Sequence, residues 1–198
     1  AVDTLDGKEY QIKSKVVVNA TGVFVDDVMK MDECDTRRKV RPSQGVHLVV
    51  DSKFLGGRSA LMIPKTKDGR VLFGVPWHGK VVLGTTDTPL NEASLEPRAL
   101  AEEGDFILDQ AGQYLDRKPT RADVLSIFAG LRPLAAPTHA DSKKTKEISR
   151  NHKIYRSKSG LLTITGGKWT TYRAMAEDVI NQAIVIGGLS PAECVTKN

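Results

Sequence analysis

The chain has 198 residues, 40% of them hydrophobic, enough to bury the core of one domain or one and a half. No apolar run approaches the ~18 residues that span a bilayer, and the opening Ala1-Val2-Asp3-Thr4-Leu5-Asp6 lacks the basic and apolar regions of a signal peptide. A net charge of +5 directs attention to anionic partners, while an aromatic content of 6% and basic runs without interleaved aromatics argue against a nucleic-acid stacking platform.

In chain order, Asp6-Gly7 is a two-residue hairpin signal, and Val16-Val17-Val18 is a β-branched run without polar alternation, the pattern of a buried strand in a parallel sheet. It ends in the small residues Asn19-Ala20-Thr21-Gly22, which let backbone approach something bulky. Cys34 and Cys194 lie far apart with no ligand spacing. The histidines His47, His78, His139 and His152 are scattered, so the composition predicts a reducing compartment and no metal. The basic runs Arg37-Arg38-Lys39-Val40-Arg41 and Lys143-Lys144-Thr145-Lys146 read either as solvated surface loops or as contacts to an anionic lipid surface, a phosphorylated substrate or nucleic acid.

Four short strands follow at 46–50, 60–64, 70–76 and 80–84, with Asp68-Gly69 and His78-Gly79 where hairpin turns are needed; the pattern is an antiparallel meander. From Arg98 to Asp116 the period changes to helical, with Leu100, Ile107, Leu108, Ala111 and Leu115 on one stripe and Pro97 suited to the first helical position. Residues 124–128 and 148–155 read as further strands flanking an exposed loop at 138–146. A last strand, 161–165, runs into Gly166-Gly167, after which Tyr172, Met175, Ala176, Val179, Ile180, Ala183 and Ile184 keep helical spacing until Gly187-Gly188.

Strand, then Gly166-Gly167-Lys168, then helix either aims unpaired N–H groups and a positive helix end at an anion or an electron-rich ring, or is an ordinary tight turn. The string Gly166-Gly167-Lys168-Trp169-Thr170-Thr171-Tyr172-Arg173 closely resembles the C-terminal flavin motif of FAD-dependent glycerol-3-phosphate dehydrogenases, in the D-amino-acid-oxidase-like superfamily. Three more strings resemble that family in the same order. They are Val17-Val18-Asn19-Ala20-Thr21-Gly22, like its second flavin-contacting strand; Gly84-Thr85-Thr86-Asp87, like its signature after the meander; and Gly130-Leu131-Arg132-Pro133-Leu134, like its substrate arginine loop.

The resemblance implies an α/β fold: a piece of an FAD/NAD(P)-binding-type domain with a mixed, largely antiparallel substrate-binding sheet. Residues 1–36 and 156–198 would belong to the FAD-binding part and 37–155 to the substrate-binding cap. It implies FAD as cofactor, contacted through Ala20, Thr21, Gly22, Gly166, Gly167, Lys168, Trp169 and Thr170. Trp169 stands where leucine is common in relatives, a change of packing rather than chemistry. It implies Arg132 and Arg150 as binders of substrate phosphate or hydroxyl oxygens, since a planar guanidinium suits both. His47 would be the base for the C2 hydroxyl proton, or else a half-buried structural histidine. Asp87 is an acid or base, or a turn residue before Pro89, and is left outside the catalytic set.

The implied reaction is oxidation of sn-glycerol 3-phosphate to dihydroxyacetone phosphate by FAD, with electrons passed to a quinone, in a cytoplasmic protein peripheral on the inner face of the cytoplasmic membrane and with no nucleic-acid partner. The alternatives are another flavin oxidase or dehydrogenase of the superfamily (a glycerophosphate oxidase, a hydroxy- or amino-acid oxidase), or a non-catalytic basic anion-binding module. No G-x-G-x-x-G occurs, so the loop that holds the FAD pyrophosphate is expected upstream of residue 1, and the chain by itself is expected to be inactive.

Overall fold

The computed structural model describes residues 1–136 and 151–196. In chain order these form β1 (Val18–Asn19), α1 (Val25–Asp32), β2 (Val40–Asp51), β3 (Leu61–Ile63), β4 (Leu72–Trp77), β5 (Lys80–Gly84), β6 (Thr88–Pro89), α2 (Ala101–Ala111), β7 (Val124–Ala135), β8 (Lys153–Arg156), β9 (Leu162–Thr165) and α3 (Tyr172–Gly187). They divide into two compact units, the first built from 1–40, 135–136 and 151–196 and the second from 41–134. β8, within the segment that the sequence reading gives to the middle domain, belongs to the first unit because it pairs with β9. The loop expected at 138–146, the start of the strand expected at 148, and Arg150 lie outside the described residues.

In the first unit, β1 pairs in parallel with β9 (Val18 opposite Leu162, Asn19 opposite Thr163), and β8 pairs antiparallel on the other side of β9. β9 is buried at every position, as a central strand between layers must be. Leu162 and Ile164 pack with Val179 and Ala183 of α3, and Met175 adds to that core. Tyr172 and Ile180 of the same sequence stripe remain largely exposed.

α3 ends where the glycine pair predicts. Gly188 is left-handed (φ +57°) and Leu189 N donates to Ile184 O at 2.9 Å, the bond pattern that closes a helix on glycine. α1 has no counterpart in the sequence reading, although its Val25 and Met29 are buried and Asp26 and Asp27 occupy its first turn. The N-terminal hairpin forms, with Val2 opposite Glu9, but its turn is wider than two residues. Gly7 N donates to Asp3 O at 2.8 Å, and the Asp3 and Asp6 carboxylates accept from Leu5 N and Lys8 N, local bonds that favour a broader turn.

In the second unit a six-stranded sheet runs β3-β4-β5-β2-β6, antiparallel along this path, with β7 also on β2. The β4–β5 hairpin turns on His78 (φ +46°) and Gly79 (φ +72°), the two left-handed positions of a tight turn whose twist matches the strands. One face of the sheet, including Val46, Leu48, Val50, Leu72, Val81 and Leu83, packs with Ile107, Leu108, Ala111 and Leu115.

Three expectations change here. α2 starts at Ala101, not near Arg98, because the Glu103 carboxylate accepts the Leu100 N–H (2.9 Å) and sets the helix start there; Pro97 lies outside it. The segment Gly130–Leu134 is strand, not loop, since β7 continues to Ala135; Pro133, which lacks an N–H, is tolerated in a strand that pairs only with β2 among the described residues. Of the first basic run, Arg37 and Arg38 are exposed as a solvated loop would have them. Lys39, however, lies 4.9 Å over the Tyr155 ring, and β2 already begins at Val40.

Candidate functional site

Alternation along β2 sends Val46, Leu48 and Val50 into the core and Gly45, His47 and Val49 to the opposite face. His47 stands opposite Gly84 of β5 in the ladder, and a Cβ at Gly84 would overlap the imidazole. The ring stacks on Phe128 of β7 with centroids 5.1 Å apart and planes 13° from parallel. Burial, and then the positive charge of Arg132, lower the His47 pKa below its ordinary value. The imidazole is therefore neutral at pH 7 and can accept a proton.

Arg132, on β7, reaches over Gly45, where a Cβ would overlap its guanidinium. Nη1 donates to the Thr86 carbonyl (3.1 Å) and Nη2 to the Thr85 hydroxyl (2.9 Å). Both partners lie between β5 and β6. The pairing of β5 sets His47 opposite Gly84, whereas that of β6 sets Gln44 opposite Thr88, so the intervening Thr85–Asp87 holds one residue more than the β2 segment it faces, a bulge that redirects side chains. Two cationic or protonatable groups that the sequence separates by 85 positions are thus gathered on one sheet face. Asp87 accepts from the Ser43 hydroxyl, which ties it into the bulge. The same face opens a cleft of about 600 Å³ lined by His47, Val49, Val75, Trp77, Val82 and Phe128 among others.

Beneath the bulge lies a group that sequence reading missed. Glu103 of α2 is 4% exposed and accepts from Gln44 Nε2 (2.7 Å), Leu100 N (2.9 Å), Thr86 Oγ1 (3.0 Å) and Thr88 Oγ1 (2.6 Å). Burial pushes its carboxyl up, but the bonds from Thr88, Leu100, Gln44 and Thr86 outweigh this and hold it below its usual value. The signal was present: Glu103 sits four residues before Ile107, on the apolar stripe of α2, where a carboxylate is out of place unless bonded.

In the first unit, the predicted flavin-contacting residues collect at the carboxyl ends of the parallel neighbours β1 and β9. Asn19 secures the first turn: Nδ2 donates to Val25 O (2.9 Å) and Thr163 Oγ1 (3.2 Å), and Oδ1 accepts from the Thr21 hydroxyl (2.8 Å). Ala20 and Thr21 are exposed and Gly22 is left-handed (φ +64°). Beside it Gly166 and Gly167 are both left-handed (φ +78° and +76°), and Cβ atoms there would crowd Asn151 O and the Met175 sulfur. Lys168, Trp169 and Thr170 are exposed, with Trp169 stacked on Tyr172 at 5.6 Å. A second cleft of about 600 Å³, lined by Val16, Val17, Gly160 and Leu161 among others, opens at the amino ends of the same strands, the end at which open α/β sheets do not bind ligands.

A sequence profile of the FAD dependent oxidoreductase family matches residues 1–173. The chain belongs to this family. It is 48% identical over 196 residues to the mitochondrial glycerol-3-phosphate dehydrogenase of Arabidopsis thaliana, covering 98% of this chain and 31% of that protein. It is 46% identical over 184 residues to the human mitochondrial glycerol-3-phosphate dehydrogenase, covering 92% and 25%. Among solved structures, the glycerol-3-phosphate dehydrogenase of Bacillus halodurans, complexed with FAD, is similar with a TM-score of 0.81 at 36% identity, over 96% of this chain and 36% of that one. A glycine oxidase from Geobacillus kaustophilus shares the fold at 14% identity and a TM-score of 0.55. The chain therefore spans roughly a quarter to a third of the relatives' lengths.

Membership accords with the expected mixed α/β fold, and the residues present fit a flavin. Two strand-to-helix turns with left-handed glycines lie side by side at the ligand-binding end of a parallel pair. The helix starts that follow them carry N–H groups with no intrahelical partner. The buried Thr165 hydroxyl, next to Gly166, finds no partner among the described residues. Also among the described residues, no cluster of three or more His, Cys, Asp or Glu could hold a metal ion.

Proposed function

We propose that the intact protein is an FAD-dependent glycerol-3-phosphate dehydrogenase, oxidising sn-glycerol 3-phosphate to dihydroxyacetone phosphate and passing the electrons to a quinone, and that this chain supplies its substrate-recognising sheet and part of its flavin site. The observation that carries the reading is the pairing of a neutral imidazole with a fixed guanidinium on one sheet face, each seated over a glycine.

Bound FAD would accept the C2 hydride. Arg132, its guanidinium oriented by Thr85 and Thr86, binds an oxyanion or hydroxyl of the substrate and holds its carbon chain in register. His47 takes the C2 hydroxyl proton on a ring nitrogen, so no alkoxide needs to develop unassisted. Stacking on Phe128 limits the imidazole to one plane, which aims that nitrogen. Arg150 is proposed as a second substrate contact on the strength of the sequence resemblance. Gly22, Gly166 and Gly167 would bring backbone close to the flavin, with Ala20, Thr21, Lys168, Trp169 and Thr170 around it, and the positive helix end after Gly167 would face the negative charge the reduced ring collects.

For location, the reading places the intact protein peripherally on a membrane face. No described helix is long and apolar enough to cross a membrane, and the curated relatives are mitochondrial by name, which makes the mitochondrial membrane the surface to test. In the intact protein, Arg132→Ala should raise the KM for glycerol 3-phosphate by about 100-fold. An unchanged kcat/KM would remove Arg132 from the site. Quinone reduction without hydrogen peroxide would separate a dehydrogenase from an oxidase.

A further inference from the structure

The most polar buried cluster of the second unit lies behind the substrate-facing surface, on the α2 side of the sheet, and nothing in the proposed reaction calls on it directly. Glu103 is its hub. Burying a carboxylate costs free energy unless its oxygens are fully bonded, and of the other buried positions of α2, Ile107, Leu108 and Ala111 are apolar while Gln110 accepts from Lys67 N. Capping α2 needs only the bond from Leu100 N. The remaining three donors come from the sheet: Gln44 on β2, and Thr86 and Thr88 on the bulged segment and β6.

Thr86 is the joint. Its hydroxyl has one hydrogen, which it donates to Glu103, so its lone pairs turn to the Val46 N–H at 3.0 Å. Val46 stands between Gly45, over which the Arg132 guanidinium lies, and His47. The carbonyl of the same Thr86 accepts from Arg132 Nη1. An ionised Glu103 accepts only, so it dictates which way the hydroxyl points. That choice pins both the peptide that anchors Arg132 and the strand step that carries His47.

We propose that Glu103 is a positioning residue for the Arg132–His47 pair and acts on it through Thr86. The inference rests on the reading of Arg132 as the substrate's binding partner. In the intact protein with glycerol 3-phosphate as substrate, Glu103→Gln keeps the volume but offers the Thr86 hydroxyl a donor where it now meets an acceptor, and Thr86→Val removes the joint. Each should raise KM about tenfold with kcat changed less than about threefold, the loss of one oriented bond in binding. Thr86→Ser, which keeps the hydroxyl, should stay within about twofold of the original KM.

Arg132→Lys should also raise KM, and adding Glu103→Gln to it should raise KM by less than about twofold more, because the group being positioned is already lost. Additive effects in that double variant, or an original KM in Thr86→Val, overturn the inference while the substrate reading stands. An unchanged KM in Arg132→Lys overturns both. Should Glu103→Gln fail to fold, the Thr86→Val and Thr86→Ser pair decides alone.

Discussion

In the second unit the Arg132 guanidinium is fixed by Thr85 and Thr86, His47 is stacked on Phe128, and a buried carboxylate stands behind them. In the first unit Lys168, Trp169 and Thr170 lie exposed on a turn whose hydrogen bonds are local, such as Lys168 N to the Thr171 hydroxyl at 3.1 Å. On the proposed function, the contrast follows from what each region would hold. A small polar substrate offers few contacts, so the side chains that meet it must be ordered before it arrives, and the ordering is done during folding. A large flat ring can order the backbone it lies against, so a turn on left-handed glycines would suffice there.

The sharpest way to break the contrast is to fill the space under His47. Gly84→Ala should lower kcat/KM of the intact protein by about 100-fold or more, since displacing a catalytic group by an ångström has effects of that order. Steady-state kinetics with a thermal melt in parallel checks this; a full loss of folding would mean the glycine is structural instead.

In the first unit, Gly167→Ala places a side chain at φ +76° against the Met175 sulfur and should cost about 1–2 kcal/mol in stability. It should weaken FAD binding several-fold while leaving the KM for glycerol 3-phosphate unchanged at saturating FAD, which flavin-fluorescence titration would show.

A smaller effect concerns pH. His47 binds its proton less readily in the folded chain than in the unfolded one, owing first to burial and then to Arg132. Its contribution to stability is therefore undiminished above the unfolded pKa, about 6.5, and is lost as pH falls below it. The acid limb of kcat/KM should likewise lie below about 6.5. In Arg132→Gln that limb should move upward, because one of the two causes is removed; an unmoved limb would assign it to another group. The smallest change is expected from Trp169→Leu. At 86% exposure the side chain should shift unfolding stability by no more than about 0.5 kcal/mol.

Much of this was legible in the chain itself. Local rules sufficed for β5, whose bounds match because His78-Gly79 can only be a tight turn before it, and for α3, whose apolar spacing and terminal glycine pair are both short-range signals. The resemblance, rather than local rules, singled out His47, Arg132 and Gly166-Gly167-Lys168, because each lies in a string that can be compared as it stands. Local rules failed for α1, a helix of eight residues held by distant partners, its Asp26 carboxylate accepting from Lys39 N and Val40 N. The resemblance led to a loop at Gly130–Leu134, where pairing with β2 makes a strand.

What the sequence by itself determined is the class of chain and the candidates for its site, since residue types, turn signals and short motifs act over a few positions. What only the tertiary structure decided is their arrangement. Gly45 and Gly84 became seats for a guanidinium and an imidazole, and Glu103 and Thr86 became a support, through bonds between residues 17 to 46 positions apart. Hydrogen bonds of that reach carry no periodicity and exist only once the sheet and α2 have packed.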